Sequence, residues 1–156
     1  MLPKQLSVGI KNVTFGEHVT VVEPVNIYGC TIGANTFIGP FVEIQKDVTI
    51  GNNCKVQSHT FICELVTIGN HCFVGHGVMF VNDLFSNGGP AQGNTTLWKA
   101  TNIGNHVSIG SNATILPVSI CDNVVIGAGS VVTKNITKPG IYVGNPAKFL
   151  RDIATT

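Results

Sequence analysis

The stretch Ile32-Gly33-Ala34-Asn35-Thr36-Phe37-Ile38-Gly39-Pro40-Phe41-Val42-Glu43-Ile44 places a branched aliphatic at every sixth residue, and the beat continues through Ile50, Val56, Ile62, Ile68 and Val74 to Phe80. An amphipathic helix repeats at about 3.6 residues and a half-buried strand at about two, so a strict six belongs to neither a bundle nor a meander. It belongs to a solenoid, whose short repeats bury their apolar faces only against one another. The residue after the aliphatic is often glycine (Gly33, Gly39, Gly51, Gly69, Gly75), which suits a tight corner or a positive φ. The fourth residue after it is small or β-branched: Thr36, Val42, Val48, Cys54, Thr60, Val66, Cys72, Val78. Both sets are expected to point inward from short strands and to stack coil on coil.

Outward from this run, the beat stops after Phe80 and resumes at Ile103, Ile109 and Ile115, then, after a five-residue step, at Ile120, Ile126 and Val132. The interruption holds Leu84-Phe85-Ser86-Asn87-Gly88-Gly89-Pro90 and Trp98, and predicts a loop over about 81–102 extruded from a coil spanning about 13–143. Long loops on rigid scaffolds commonly carry function. Asn145-Pro146 has the N-cap and first-turn character of a helix start, so a short helix over 145–153 is expected to cap the open end. Residues 1–156 then form a single all-β domain.

Charged residues are 11% of the chain and hydrophobic ones 44%, yet no uninterrupted apolar run approaches the ~20 residues of a membrane-spanning helix. Disorder, which needs low hydrophobicity and high net charge, is excluded as well. Nine Lys and Arg against eight Asp and Glu leave a net charge of +1, with no global field to draw nucleic acid or an anionic membrane surface. The N-terminal Met1-Leu2-Pro3-Lys4-Gln5-Leu6 lacks a secretory pattern, and five cysteines without a CxxC pair suit reduced, buried thiols. The expected compartment is the cytoplasm.

The tandem pattern of aliphatic, glycine, two variable residues and a small residue resembles the hexapeptide-repeat acyltransferases over residues 13–151. That resemblance implies a left-handed parallel β-helix with three hexapeptides per coil. Ile126-Gly127-Ala128-Gly129-Ser130-Val131-Val132-Thr133-Lys134 and Tyr142-Val143-Gly144-Asn145-Pro146-Ala147-Lys148 are similar to the family's coenzyme A end. Gln57-Ser58-His59-Thr60-Phe61-Ile62-Cys63-Glu64 and Gly75-His76-Gly77-Val78-Met79-Phe80-Val81-Asn82-Asp83 are similar to the N-acetyltransferases of dTDP-linked 3-amino sugars. Where such relatives often carry Tyr-Pro-Arg after Asn-Asp, this chain has Leu84-Phe85-Ser86-Asn87. The resemblance implies acetyl-CoA as co-substrate without a metal, a nucleotide-linked amino sugar as acceptor, bacterial surface-polysaccharide synthesis as setting, and homotrimers with active sites between neighbours.

With the implied 18-residue coil, Lys46, Glu64 and Asn82 share one column, Ser58 and His76 share another, and Asp83 adjoins Asn82. Acetyl transfer to an amine needs a neutral nucleophile aimed at the thioester, donors for the oxyanion, and a path for the proton. Glu64 and Asp83 are candidates to hold the sugar. Asn82 both donates and accepts, which suits orienting a free amine. His59 and His76 have the side chain suited to general base work near neutrality. The resembled subfamily implies late proton loss to the coenzyme A thiolate, so positioning by Asn82 is expected to outweigh abstraction by His76. Backbone N–H groups of Gly110 and Ala128 are the expected oxyanion donors. Lys134, Lys138, Asn145, Pro146, Lys148 and Arg151 are expected to receive the coenzyme, its phosphates meeting the basic side chains.

Plainer roles compete with these. His71 and His106 each follow a Gly-Asn pair and read, with His18, as solvated turn residues. Asn82 and Asp83 open a loop, where such residues favour turns for local reasons. Cys54 and Cys72 fit core packing. Rival functions are O-acetylation with a His base, a γ-type zinc carbonic anhydrase suggested by His71-x4-His76, and a non-catalytic binding solenoid.

Overall fold

A computed structural model describes residues 1–154, which wind into a parallel β-helix of triangular section. Most strands are two residues long, one outward and one inward, as Thr31–Ile32, Phe37–Ile38 and Glu43–Ile44 illustrate. They stack into sheets of seven, six and eight strands, every third strand joining the same sheet until the last two strands, which both add to the third. The inward aliphatics Ile32, Ile38, Ile44, Ile50, Val56, Ile62 and Val74 are all at most 1% exposed and form one continuous core. Buried hydroxyls between them are satisfied by the next coil, as where Thr60 Oγ1 donates to the Gly75 carbonyl at 2.8 Å.

Coil length varies along the axis. Partners are 18 residues apart in the middle, as for Glu43 and Phe61, but 17 apart at the start (Asn26 with Glu43) and after the loop (Ser108 with Val125). The loop runs from Val81 to Ala100, between the strands Met79–Phe80 and Thr101–Ile103. Its ends are closed where Lys99 N donates to the Asn82 carbonyl at 2.8 Å, and beyond it Val66 pairs directly with Thr101.

Two expectations are corrected. The glycines after the aliphatics do not supply positive φ: Asn35, Asn53, His71 and His106 adopt it instead, two residues later. Glycine is required because coils nearly touch there, and a Cβ on Gly51 would lie 2.6 Å from Asn70 Oδ1 and 2.7 Å from the Gly69 backbone. The terminal segment is not a helix. Residues 144–147 turn, and Lys148–Arg151 runs back antiparallel to Gly140–Val143. The last coil presents an open strand edge, and a returning strand satisfies its backbone groups where a short helix would leave them bare. Phe149 packs edge-on against Tyr142 at 5.5 Å, with Lys138 Nζ 4.3 Å above its ring.

Candidate active site

The corner between the first and second sheets carries Lys46, Glu64 and Asn82 on successive coils. Asn82 Nδ2 donates to the Glu64 carbonyl at 3.2 Å, and Lys46 Nζ lies 3.7 Å from Glu64 Oε2. The Glu64 side chain is only 12% exposed and Lys46 53%. A carboxylate so far out of water with one long ion pair retains acceptor capacity for a cationic or hydroxylated ligand. The chain brings these three together.

A polar network that the hexapeptide count missed extends from this corner. Glu64 N donates to Gln45 Oε1 at 3.3 Å, Gln45 Nε2 donates to Glu43 Oε1 at 3.1 Å, and Asn26 Nδ2 donates to Glu43 Oε2 at 3.2 Å. Tyr28 borders it; burial, then the Glu43 and Glu64 carboxylates, push its hydroxyl above the ordinary value, while Gln45 pulls it back. Asn26 and Tyr28 sit on the 17-residue first coil, out of step with a count begun at Ile32. Polar residues at 17-residue spacing were the signal available.

Asp83 is otherwise engaged. Its two oxygens accept the Phe85 and Ala91 N–H groups at 3.0 and 2.7 Å, so the carboxylate clasps the loop. Ala91 is buried, while Leu84 and Phe85 of the same loop are exposed.

The histidines lie elsewhere. His59 and His76 occupy the corner between the third and first sheets, separated from Asn82 by the strand Met79–Phe80. His59 takes a left-handed turn conformation, φ 63°, and its ring packs on Phe41 at 5.0 Å. His76 Nδ1 is 2.9 Å from Ser58 Oγ, a contact that orients an otherwise exposed ring. One chain thus presents Asn82 and His76 at opposite edges of one sheet. His18, His71 and His106 all occupy positive-φ turns, His71 stacked on His106 at 4.8 Å. His71 and His76 flank opposite ends of the strand Phe73–Val74 and do not converge; among the described residues no group of three or more His, Cys, Asp or Glu could hold a metal ion.

Further along the histidine corner lie Gly110 and Ala128, packed so closely that a Cβ on Gly110 would strike the Ala128 backbone. Gly110 N–H donates to the Ile126 carbonyl at 2.8 Å and is not free for an oxyanion. The Ala128 N–H has no protein acceptor among the described residues, and Ala128 is exposed. Asn145 and Pro146 form the turn that settles on the same corner, where Ala147 N donates to the Val131 carbonyl at 2.8 Å. Lys138 is bound within the terminal hairpin by Asp152 at 3.1 Å, just beyond the acid-free stretch. Lys134, Lys148 and Arg151 stay exposed, but Lys134 follows Val131–Val132 of the first sheet and precedes Ile136, which bridges to the second, so it lies at the far end of the Asn82 corner and not on the histidine corner; Arg151 donates to the Asp152 carbonyl at 3.3 Å. Burial pushes the Cys30 thiol up to about 11 and the Cys63 thiol up to about 12.

The chain therefore offers two half-sites: a polar acceptor half with the loop on one corner, and a donor half with a histidine, a free N–H and a basic end on another. Comparison with known proteins gives residues 29–64 a match to bacterial transferase hexapeptide (six repeats), and residues 101–134 a match to the hexapeptide repeat of succinyl-transferase. Bifunctional protein GlmU of Streptococcus uberis is 34% identical over 125 residues, covering 80% of this chain and 25% of that protein. Galactoside O-acetyltransferase of Escherichia coli is 36% identical over 146 residues, covering 90% of this chain and 64% of that one. The chain thus spans a quarter of the length of the first relative and less than two thirds of the second. Among solved structures, AntD, an N-acyltransferase from Bacillus cereus, superposes with a TM-score of 0.76 at 24% identity over 89% of this chain and 83% of that one. The fold is the left-handed parallel β-helix that the resemblance implied.

Proposed function

This chain belongs to the hexapeptide-repeat transferase family, and from that premise we propose that it is an acetyl-CoA-dependent N-acetyltransferase acting on the 3-amino group of a dTDP-linked 3-amino-3,6-dideoxyhexose. The observation that carries the reading is the corner of Lys46, Glu64 and Asn82, a little-hydrated carboxylate beside an amide at the root of an extruded loop. AntD was solved with dTDP and coenzyme A, which supports the ligand classes. A cytoplasmic enzyme of bacterial surface-polysaccharide synthesis, working as a homotrimer, is the setting we assign.

In this mechanism Glu64 holds the sugar hydroxyls or the incoming ammonium, which loses one proton to solvent before attack, and Asn82 orients the resulting neutral amine toward the thioester. The amine nitrogen forms a bond to the acetyl carbon, the Ala128 N–H stabilises the resulting oxyanion, and the C–S bond then breaks. The proton shed by nitrogen ends on the departing thiolate. Lys148 and Arg151, in the terminal strand, hold coenzyme phosphates by charge-assisted bonds. Asn82 and His76 lie at opposite edges of one sheet, so the half-sites meet only where two copies adjoin.

A thiol-release assay with acetyl-CoA against dTDP- and UDP-linked amino sugars tests the reading. Release with a 3-amino sugar supports it, and release with no amine in the panel overturns it. O-acetylation is favoured by one observation, the Ser58–His76 pair, because an alcohol must lose its proton earlier than an amine. His76→Ala decides between them: amine chemistry keeps most of its turnover, whereas a roughly hundredfold or greater loss with the fold intact assigns a His base.

A further inference from the structure

We propose that the nucleotide half of the acceptor lies along the corner toward the N-terminus, with its diphosphate beside Lys46 and its nucleoside in the cleft walled by Tyr28. The inference rests on the acceptor reading above and fixes the direction in which the substrate is laid.

Coils stack at the spacing of neighbouring strands, about 4.8 Å, so from Asn82 the Lys46 position is about 10 Å away and the Tyr28 coil about 14 Å. That is the order of separation in a nucleotide sugar, whose diphosphate is ester-linked to the ring bearing the amine and whose nucleoside lies a further ester beyond. Toward the C-terminus the same corner is closed by the loop, whose root Asp83 clasps. The N-terminal direction is open. There Lys46 projects with more than half its side chain in water, near enough to Glu64 to be oriented yet able to donate to a phosphate.

Below Lys46 the corner loses its side chain. Gly29, at φ 60°, lies so close that a Cβ would come within 2.7 Å of Lys46 Cβ, so the two coils meet there with no side chain between Lys46 and the coil of Tyr28. On the coil of Gly29 lies a cleft of about 460 Å³ bounded by Leu6, Val8, Lys11, Asn12, Asn26 and Tyr28. Across Val8 and Asn26 it continues into a hollow of about 220 Å³ floored by Pro24, Val25 and Phe41. Sites for small ligands combine this order of volume with aromatic and aliphatic walls and a few convergent polar groups. Tyr28 offers a ring face to a base, while Asn26 and Asn12 present amides that donate and accept. Lys11 Nζ donates to the Ser7 carbonyl at 3.0 Å and holds the N-terminal arm as one wall.

Calorimetric titration of the full chain with dTDP, UDP and GDP, and separately with acetyl-CoA, tests the placement. Lys46→Ala and Tyr28→Ala are expected to weaken the preferred nucleoside diphosphate about tenfold or more, with Tyr28→Phe retaining affinity and acetyl-CoA binding unchanged in all three. With the nucleotide sugar, the same substitutions raise KM more than they lower kcat. If the unaltered protein binds a nucleoside diphosphate and Lys46→Ala and Tyr28→Ala bind it equally well, this subsite is overturned and the acyltransferase reading stands. If the unaltered protein binds none of the three, the subsite and the nucleotide-sugar reading fall together, and thiol release with free amino sugars reports separately on acetyl transfer.

Discussion

Asn82 shows how much a single residue's role depends on what its neighbours have already claimed. Its amide donates one bond to the Glu64 carbonyl, leaving the oxygen and a second N–H for a ligand. Asn82→Ala should therefore lower turnover on the amino sugar by about 10²-fold or more while leaving acetyl-CoA affinity within about twofold, since the coenzyme's groups lie on the other corner. Kinetics with a parallel acetyl-CoA titration check this; equal losses in both would remove Asn82 from the acceptor side. The column of Lys46, Glu64 and Asn82 was legible in the sequence because a repeat converts spacing into adjacency. The engagement of Asp83 with Phe85 and Ala91, and of Lys138 with Asp152, was not. Spacing locates a side chain on a coil, but which partner captures it depends on how a non-repeating loop or terminus folds back.

Each coil is held to the next by contacts between corners as much as by its ladder of backbone hydrogen bonds. At the corner between the second and third sheets, Asn52, Asn70 and Asn105 each turn Oδ1 to accept a backbone N–H of the preceding coil at 2.8 Å. The glycines before them exist to let those amides approach. Gly51→Ala drives a Cβ into Asn70 Oδ1 and the Gly69 backbone, and should destabilise by about 1–3 kcal/mol in denaturant unfolding, as overpacking does. Asp122 ends the row, accepting Asn105 N–H at 2.7 Å, and that bond holds its carboxyl below the usual value. A carboxyl lowered in the folded state contributes stability above its unfolded pKa, and the contribution is lost as pH falls through the folded one. Asp122→Asn keeps the acceptor but removes the titration, so the melting temperature of the variant should fall less between neutral and acid pH than that of the unaltered chain. Periodicity made the coils readable, because burial of one aliphatic per strand is a local requirement. The terminal hairpin was hidden, since Asn145-Pro146 serves a turn as well as a helix start, and the choice was made by an open strand edge that only the assembled sheet presents.

At the scale of the molecule the three faces differ. The second sheet shows water a row of Thr14, Thr31, Thr49 and Thr67 in register, followed by Asn102 and Ser119, a surface that is well hydrated alone. The first sheet and its flanks expose Phe41, Met79, Leu84 and Phe85, each at least 40% accessible. Apolar side chains gathered on one side are costly to hydrate, and the same side separates the two half-sites. A second copy laid there would cover the one and complete the other. Complementation tests this directly. Asn82→Ala disables the acceptor half alone, and Ala128→Pro removes the donor N–H alone. Each homogeneous variant should be nearly inactive. Co-expressed and co-purified, they should recover up to roughly a quarter of the sites, those in which the intact acceptor half of one chain faces the intact donor half of the other. Mixed oligomers that form by mass measurement yet recover no activity would mean that both halves act within one chain, and the site would then have to be sought along a single corner.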